Sequence, residues 1–305
     1  MDLLALQYFR TVARLEHLSR AADELHVAQP SLSRTIARLE DELGVPLFTR
    51  QGRVRLNENG RVFLRHVERA LSELDDGRRA LDDLKGGAGG EVVVAAESLL
   101  TLTGVLSTFR RVKPEIRVRL QQAAAGEMRR QLRSGEIDFG IASQSVNAED
   151  LESVELVREE VLLAMPQSHP RAHQDAIPVA DLTTEDWVTT RRGHWQRELL
   201  ERLFADAGAQ PTIACESNEP GVSQDLISAG LGIGLIPAMS QRAGTHAPVA
   251  WAHIASPGAH RTLRLMWRRD RELPASAVAF REVVTSRPFM NHRAQESRRR
   301  GRRTT

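Results

Sequence analysis

The sequence predicts three parts in series: a small helical domain, one long helix, and an α/β domain behind a glycine-rich hinge. Three observations carry this. Apolar residues recur at helical spacing in short capped runs over residues 1–57. They then repeat as a heptad from Phe63 to Leu84. Beyond Lys85, strand-like runs alternate with helical ones, the pattern of an α/β fold. A chain of 305 residues, 41% apolar and 27% charged, has the balance of about two globular domains.

In the first helix Leu3, Leu6, Phe9, Val12 and Ala13 form one apolar face. Ser19 precedes Arg20–Leu25 as the cap of a second, short helix, and His26–Ala28 is a turn. Pro30 suits the first turn of a third helix, where its missing N–H is not needed. Leu32, Ile36, Leu39 and Leu43 give that helix a buried stripe, and Gly44 ends it. Thr49–Asn57, with Gln51-Gly52 at its centre, reads as a small hairpin. Asn57 caps the long helix, which runs to about Leu84. Its seam of Phe63, Val67, Ala70, Leu74, Gly77, Leu81 and Leu84 fits pairing with another helix. Phe63, Val67, Ala70, Leu74 and Leu81 are therefore the candidate dimerisation residues.

Residues 85–90 form the flexible hinge. Strands are expected at 91–95, 117–121, 139–142, 161–165, 187–189, 212–216, 232–235 and 263–267, and helices at 99–113, 128–134, 196–207, 221–229 and 275–285. The tail from Asn291 is polar and Arg-rich without a period, and is expected to be disordered.

Several function classes drop out. Cys215 is the single cysteine, so no intrachain disulfide can form and a reducing compartment fits. It lies in a strand and reads as packed rather than reactive. Residues 1–14 lack the charged start and apolar core of a signal peptide. Leu226–Met239 is too short and too glycine-rich to span a bilayer. The ten histidines show no metal spacing, and no G-x-S-x-G elbow occurs. Gly230, Gly232 and Gly234 read as a helix end leading into a strand, not a nucleotide loop. No catalytic residue, cofactor or metal is expected, and the chain reads as cytoplasmic and non-enzymatic.

Two short helices crossing at Ala21-Ala22 form a helix-turn-helix, a unit that lays its second helix in the DNA major groove. Gln29, Pro30, Ser31, Ser33 and Arg34 open that helix. Gln pairs bidentately with adenine, Arg with guanine, and Ser bonds either bases or phosphates. Arg38, Arg50 and Arg53, further along the helix and in the hairpin, suit phosphate contacts.

The run LSRAADELHVAQPSLSRTIARLEDELGVPLFTR, Leu18–Arg50, closely resembles the N-terminal signature of LysR-type transcriptional regulators. Ala21-Ala22, Leu25, Gln29-Pro30, Leu32-Ser33, Ile36, Leu39-Glu40, Leu43-Gly44, Leu47-Phe48 and Arg50 stand where that pattern puts them. FRRVKPEIRV (109–118), LRSGEIDFGIA (132–142), MPQSHP (165–170) and ISAGLGIGLIP (227–237) resemble later landmarks of the family. The resemblance implies a winged helix-turn-helix over residues 1–57, a dimerising linker helix over 58–84, and an effector domain over 91–290 like a periplasmic binding protein. Its lobes would be about 91–163 with 262–290, and about 164–261. It implies a homodimer or homotetramer on a near-palindromic promoter, an unidentified small-molecule effector, and RNA polymerase as a further partner. Alternatives are a small-molecule-binding protein with a vestigial DNA-binding domain, and an architectural DNA-binding protein without effector control.

In a fold of that kind the ligand sits between the lobes, where strand ends and helix N-termini favour polar or anionic groups. Ser98, Thr101, Ala124 and Ser143 follow strands of one lobe; Thr190, Ser217 and Asn218 follow strands of the other. Arg191, beside Arg192, is placed to neutralise a ligand carboxylate.

The net charge is +2, and all but two of the 42 basic residues are arginine. Residues 1–60 hold eight arginines against eight acids, so the DNA-reading domain is formally neutral. The tail 291–305 holds six arginines against one glutamate and accounts for the basic balance. A DNA function therefore rests on Gln29–Arg34, not on composition.

Overall fold

The computed structural model describes residues 1–49, 54–84, 89–143, 149–243 and 247–286. Two compact units are present: the elements up to Leu84 centre one, those from Glu91 the other.

In the N-terminal unit α1 (Leu3–Leu15) starts at Asp2, whose side chain accepts the Ala5 N–H at 2.7 Å. It buries Ala5, Phe9, Val12 and Ala13. α2 (Leu18–Glu24) is capped by His17, whose ring nitrogen accepts the Arg20 N–H; Ser19, the expected cap, lies inside the first turn. α3 (Gln29–Leu43) takes Pro30 in its first turn, buries Leu32, Ile36 and Leu39, and ends at Gly44 with φ +72°. A β-carbon strains that left-handed conformation, so glycine suits the position. β1 (Phe48–Thr49) and β2 (Arg55–Leu56) form the antiparallel wing. The Gln51-Gly52 turn expected between them, with Arg50 and Arg53, lies outside the described residues.

Two buried or half-buried carboxylates fasten the wing. Glu40 accepts the Leu47 and Phe48 N–H groups at 2.7 and 3.1 Å, and Glu16 accepts that of Leu56 at 3.1 Å. α4 (Glu58–Leu84) follows Asn57, whose side-chain oxygen accepts the Gly60 N–H at 2.8 Å, as a cap should. Phe9 stacks between Phe48 and Phe63 at centroid separations of 5.6 and 5.3 Å. Phe63 and Val67 thus belong to this unit's own core, while Ala70, Leu74 and Leu81 are exposed. The single heptad seam read from the sequence divides into an inward stretch and an outward one.

The second unit opens with β3 (Glu91–Ala96), whose Val and Ala side chains are buried on both faces as in a central strand. A 3₁₀ turn at Leu99–Leu102 leads into α5 (Thr103–Val112), so the one helix expected at 99–113 is two pieces. β4 (Arg117–Gln122), α6 (Ala125–Ser134) and β5 (Phe139–Ala142) follow, with β4 and β5 parallel to β3 on either side. β6 (Leu151–Met165) is three times the expected length. Next come β7 (Ala176–Ile177), a 3₁₀ turn at Val179–Leu182, β8 (Asp186–Thr189), α7 (Trp195–Asp206), β9 (Thr212–Glu216) and α8 (Pro220–Ser228). β10 (Gly234–Pro237), α9 (Ala238–Ala243), β11 (Ala250–Ile254), β12 (His260–Arg268) and α10 (Ala275–Thr285) complete the unit.

β6 is shared between two halves. Its residues 151–160 pair antiparallel with β12, and residues 161–165 pair with β10 and β11. One core gathers Val92, Val94, Phe109, Phe139, Leu265 and Phe280; the other gathers Leu163, Trp187, Leu203, Phe204, Leu235 and Ile254. The glycine run is structural: a β-carbon on Gly232 would stand 2.3 Å from the Asp186 carbonyl oxygen, and one on Gly234 2.8 Å from that of Val188. The glycines let the approach to β10 lie against β8. The hinge residues 85–88 and the tail fall outside the described residues.

Candidate functional site

Two regions concentrate functional side chains, one in each unit. In α3 the apolar stripe fixes which face is turned outward. Leu32, Ile36 and Leu39 are buried, so Gln29, Pro30, Ser31, Arg34 and Arg38 are exposed and Ser33 is half-buried. Ala28 precedes the helix without a side-chain cap, so no capping group screens its first turn. Arg34 is held along the helix by its Nε–H, which donates to the Pro30 carbonyl at 3.3 Å. Arg38 is drawn toward Asp2 at 3.3 Å and Glu42 at 4.0 Å. Both are exposed ion pairs, weak enough to exchange for a phosphate. Arg50 and Arg53 lie outside the described residues.

In the second unit a cavity of about 40 Å³ opens where the ends of β3 and β8 meet the starts of α7 and α9. Of the residues expected to bind effector, Ser98, Thr101, Thr190 and Asn218 line it. The Thr101 hydroxyl donates to the Ser98 carbonyl at 2.7 Å, and the Asn218 side-chain oxygen accepts the Arg191 N–H at 3.1 Å. The Thr190 hydroxyl oxygen is buried and has no hydrogen-bond partner.

The other four expected residues do not line this cavity. Ala124 begins α6, its carbonyl accepting the Glu127 and Met128 N–H groups. The Ser217 hydroxyl closes a local turn by accepting the Glu219 N–H. Ser143 reaches the site only indirectly, its N–H donating to Glu97 at 2.7 Å. Arg191 is exposed and does not line the cavity, and Arg192 lies 3.5 Å from Glu201 on the surface.

The buried charges of the cavity are instead Glu97 and Arg261, neither expected from the sequence. Arg261 is 4% exposed on its side chain and is clamped by Glu159 through Nε at 2.7 Å and Nη2 at 2.6 Å. Glu159 also accepts the Met239 N–H at the start of α9 at 2.8 Å. The guanidinium lies 4.8 Å from the Trp195 ring centroid, a cation–π distance. Burial lowers its pKa and the Glu159 charge opposes that shift.

Glu97 follows β3 directly and is 7% exposed. One oxygen accepts the Ser143 N–H, and the other, Oε1, is buried without a partner. Burial pushes its carboxyl above the ordinary range, and Glu198 adds to the shift; the Ser143 bonds and the Arg261 charge only moderate it. His194, at the start of α7, is lowered by burial against the opposing pull of Glu198. A local signal for Glu97 did exist, an acid closing a run of buried strand residues. None existed for Arg261 and Glu159, which are 102 positions apart. Among the described residues no group of His, Cys, Asp and Glu could hold a metal ion. Nor is any helix there long and apolar enough to cross a membrane.

Residues 3–61 match the family model for the bacterial regulatory helix-turn-helix protein, lysR family, and residues 85–288 match the LysR substrate binding domain. The chain is 32% identical over 293 residues to the HTH-type transcriptional regulator YybE of Bacillus subtilis, covering 94% of this chain and 99% of that one. It is also 32% identical over 289 residues to the transcriptional dual regulator GltC of the same organism, covering 93% and 96%. The solved LysR family regulator CbnR superposes with a TM-score of 0.64 at 26% identity, over 93% of this chain and 98% of that one. The structure of full-length CbnR complexed with its target DNA gives 0.62 over a similar span. The chain belongs to the LysR family of transcriptional regulators, with an N-terminal helix-turn-helix DNA-binding domain and a C-terminal effector-binding domain.

Proposed function

We propose that this regulator reads promoter DNA with the outward face of α3 and senses a small molecule in the cavity of its second unit. One observation supports the first half above the rest. Gln29, Ser31, Arg34 and Arg38 all stand exposed on a helix whose opposite face is sealed in the core. Gln29 and Arg34 would read base edges, while Arg38, Arg50 and Arg53 would hold phosphates. Ser98, Thr101, Thr190 and Asn218 would contact the effector.

Residues 1–57 would form the DNA-binding domain, 58–84 the linker helix, and 91–290 the effector domain. The exposed Leu74 and Leu81 of α4 would pair two copies, so that two α3 helices address a near-palindromic site. The effector would shift the population of two oligomer arrangements, which requires that it bind one more tightly. Such a regulator works in the cytoplasm beside the chromosome and RNA polymerase, and its own chain catalyses no reaction.

A footprint over the DNA flanking its own gene tests this. Protection of a near-palindromic site, altered by a metabolite extract, is the expected result. Equal affinity for that DNA and for random DNA at moderate salt would sink the reading.

A further inference from the structure

We propose that the effector is a small amine, whose protonated nitrogen bonds Glu97 Oε1 while the Thr190 hydroxyl fixes a second polar group. This rests on the reading of the cavity as the effector site and names the chemistry that site selects.

Two buried polar atoms of the cavity have unmet hydrogen-bonding capacity. Glu97 is 7% exposed and Thr190 6%, both line the cavity, and Glu97 Oε1 and Thr190 Oγ1 are buried without partners. Burying a polar atom unpaired is costly, and such atoms in native proteins call for an explanation, a binding role among them. The backbone fixes the other Glu97 oxygen as an acceptor, since Ser143 N–H donates to it at 2.7 Å. The carboxylate is therefore held with its second oxygen turned away from that anchor, ready to accept a donor.

Charge decides which donor. Arg261 is the buried cation of the cavity, and Glu159 pairs with it through one hydrogen bond from Nε and a close ion-pair contact at Nη2. Arg191 and Arg192, once natural partners for a ligand carboxylate, lie on the surface and do not line the cavity. Burial disfavours the protonated form of His194. Among the described residues, an anionic ligand would thus meet Glu97 in a cavity whose guanidinium, that of Arg261, is already held by Glu159. A cation would find Glu97 Oε1 buried without a hydrogen-bond partner.

Size narrows the class. The cavity, about 40 Å³ and partly open to solvent, admits roughly three water-sized groups, so the part of the ligand held inside it is short. An ammonium with a hydroxyl or second amine two or three bonds away fits that description.

Cation binding also has a proton signature. Glu97 shares the cavity with Arg261 on β12 and with His194 just before α7, and feels the charges of Arg261 and of Glu198 on α7. Of these, Glu97, with Oε1 unpartnered, is the one whose proton a neighbouring cation would expel. Amine binding should therefore release protons at pH values where Glu97 still holds its proton, read by calorimetry in buffers of different ionisation enthalpy.

The experiment uses the full chain and three matched pairs: ethanolamine against glycolate, ethylamine against acetate, and 1,3-diaminopropane against malonate. Thermal shift should show stabilisation by amines and none by acids. Glu97→Gln should lose tenfold or more in amine affinity and lose the proton release. Glu97→Asp, which keeps the charge, should retain the preference for amines. The melting temperature of each unliganded variant shows that it folds. Stabilisation by the acids, by neither set, or by amines equally in Glu97→Gln overturns the proposal. If the amines fail while the promoter footprint stands, the amine inference falls and the regulator reading survives.

Discussion

Arg261 and Glu159 face each other as register partners across β12 and β6, and form an ion pair with side chains 4% and 2% exposed. The pair sits where β6 passes from one half of the effector domain to the other, two residues before its pairing with β10 begins. It also holds the start of α9 through the Met239 N–H. One pair thus joins three elements around the cavity.

Removing one partner strands a buried charge. Arg261→Met should destabilise the effector domain by about 3–5 kcal/mol, as should Glu159→Leu. The double variant should recover much of that loss, because two apolar side chains leave nothing uncompensated. Urea denaturation of the three variants checks this. A double variant as unstable as the sum of the singles would contradict it.

Glu97 gives stability a pH dependence of known sign. Its carboxyl is raised above the ordinary 4.5, so the folded chain holds the proton more tightly than the unfolded one. Stability therefore falls as pH rises from 4.5 through the raised folded value, and the full penalty persists above it. Glu97→Gln removes that slope, so its gain in melting temperature should be near zero below pH 4.5 and grow toward neutrality. His194, lowered from 6.5, acts in the opposite sense: its contribution improves as pH climbs toward 6.5, in both proteins. A pH-independent difference between wild type and variant would refute the assignment.

The junction of wing and linker helix depends on two residues. A β-carbon on Gly60 would stand 2.2 Å from the Leu47 carbonyl oxygen, a backbone atom that has little freedom to move. Gly60→Ala should cost about 1–3 kcal/mol by overpacking. Asn57→Ala removes the cap on the Gly60 N–H and should cost about 1 kcal/mol. The two share one contact, so their effects should fall short of additive. Chemical denaturation followed through the N-terminal unit measures all three variants.

On α3, arginines four residues apart should behave differently. Arg34→Ala should weaken binding to the specific site by about 1–3 kcal/mol and relax sequence preference. Arg38→Ala should weaken specific and random DNA alike and lower the salt slope by about one. Titrations at several salt concentrations separate the two, and identical behaviour would make Arg34 a phosphate contact.

The tail is a separate electrostatic element. Deleting residues 291–305 removes six arginines and one glutamate. If they reach phosphates, the salt dependence of DNA binding flattens. An unchanged slope would leave the tail without a DNA role.

The sequence by itself determined what local spacing controls. Leu32, Ile36 and Leu39 at helical period specified both the third helix and the face that Arg34 and Gln29 turn outward. Asn57 and Gly44 marked helix ends because a cap's chemistry is confined to one turn. Phe139–Ala142 was legible because a buried strand is a short apolar run, and Thr212–Glu216 because Ile213 and Cys215 alternate with more exposed neighbours at the strand period.

Other features were decided only by tertiary structure. The first part of β6, with Glu152, Glu155, Arg158, Glu159 and Glu160, has too many charges to read as strand; Arg261 and Arg264 on β12, and Arg269 just past its end, pair with three of them. Phe63 and Val67 share the heptad with Leu74 and Leu81, and only packing against Phe9 and its neighbours divides inward from outward. Ser98, Thr101, Thr190 and Asn218 reach the cavity because strand ends converge there, which chain order foreshadows. Glu97 and Arg261 owe their importance to burial and to partners on distant strands. A local reading sees a charged residue; only the folded chain shows whether water, a partner or nothing surrounds it.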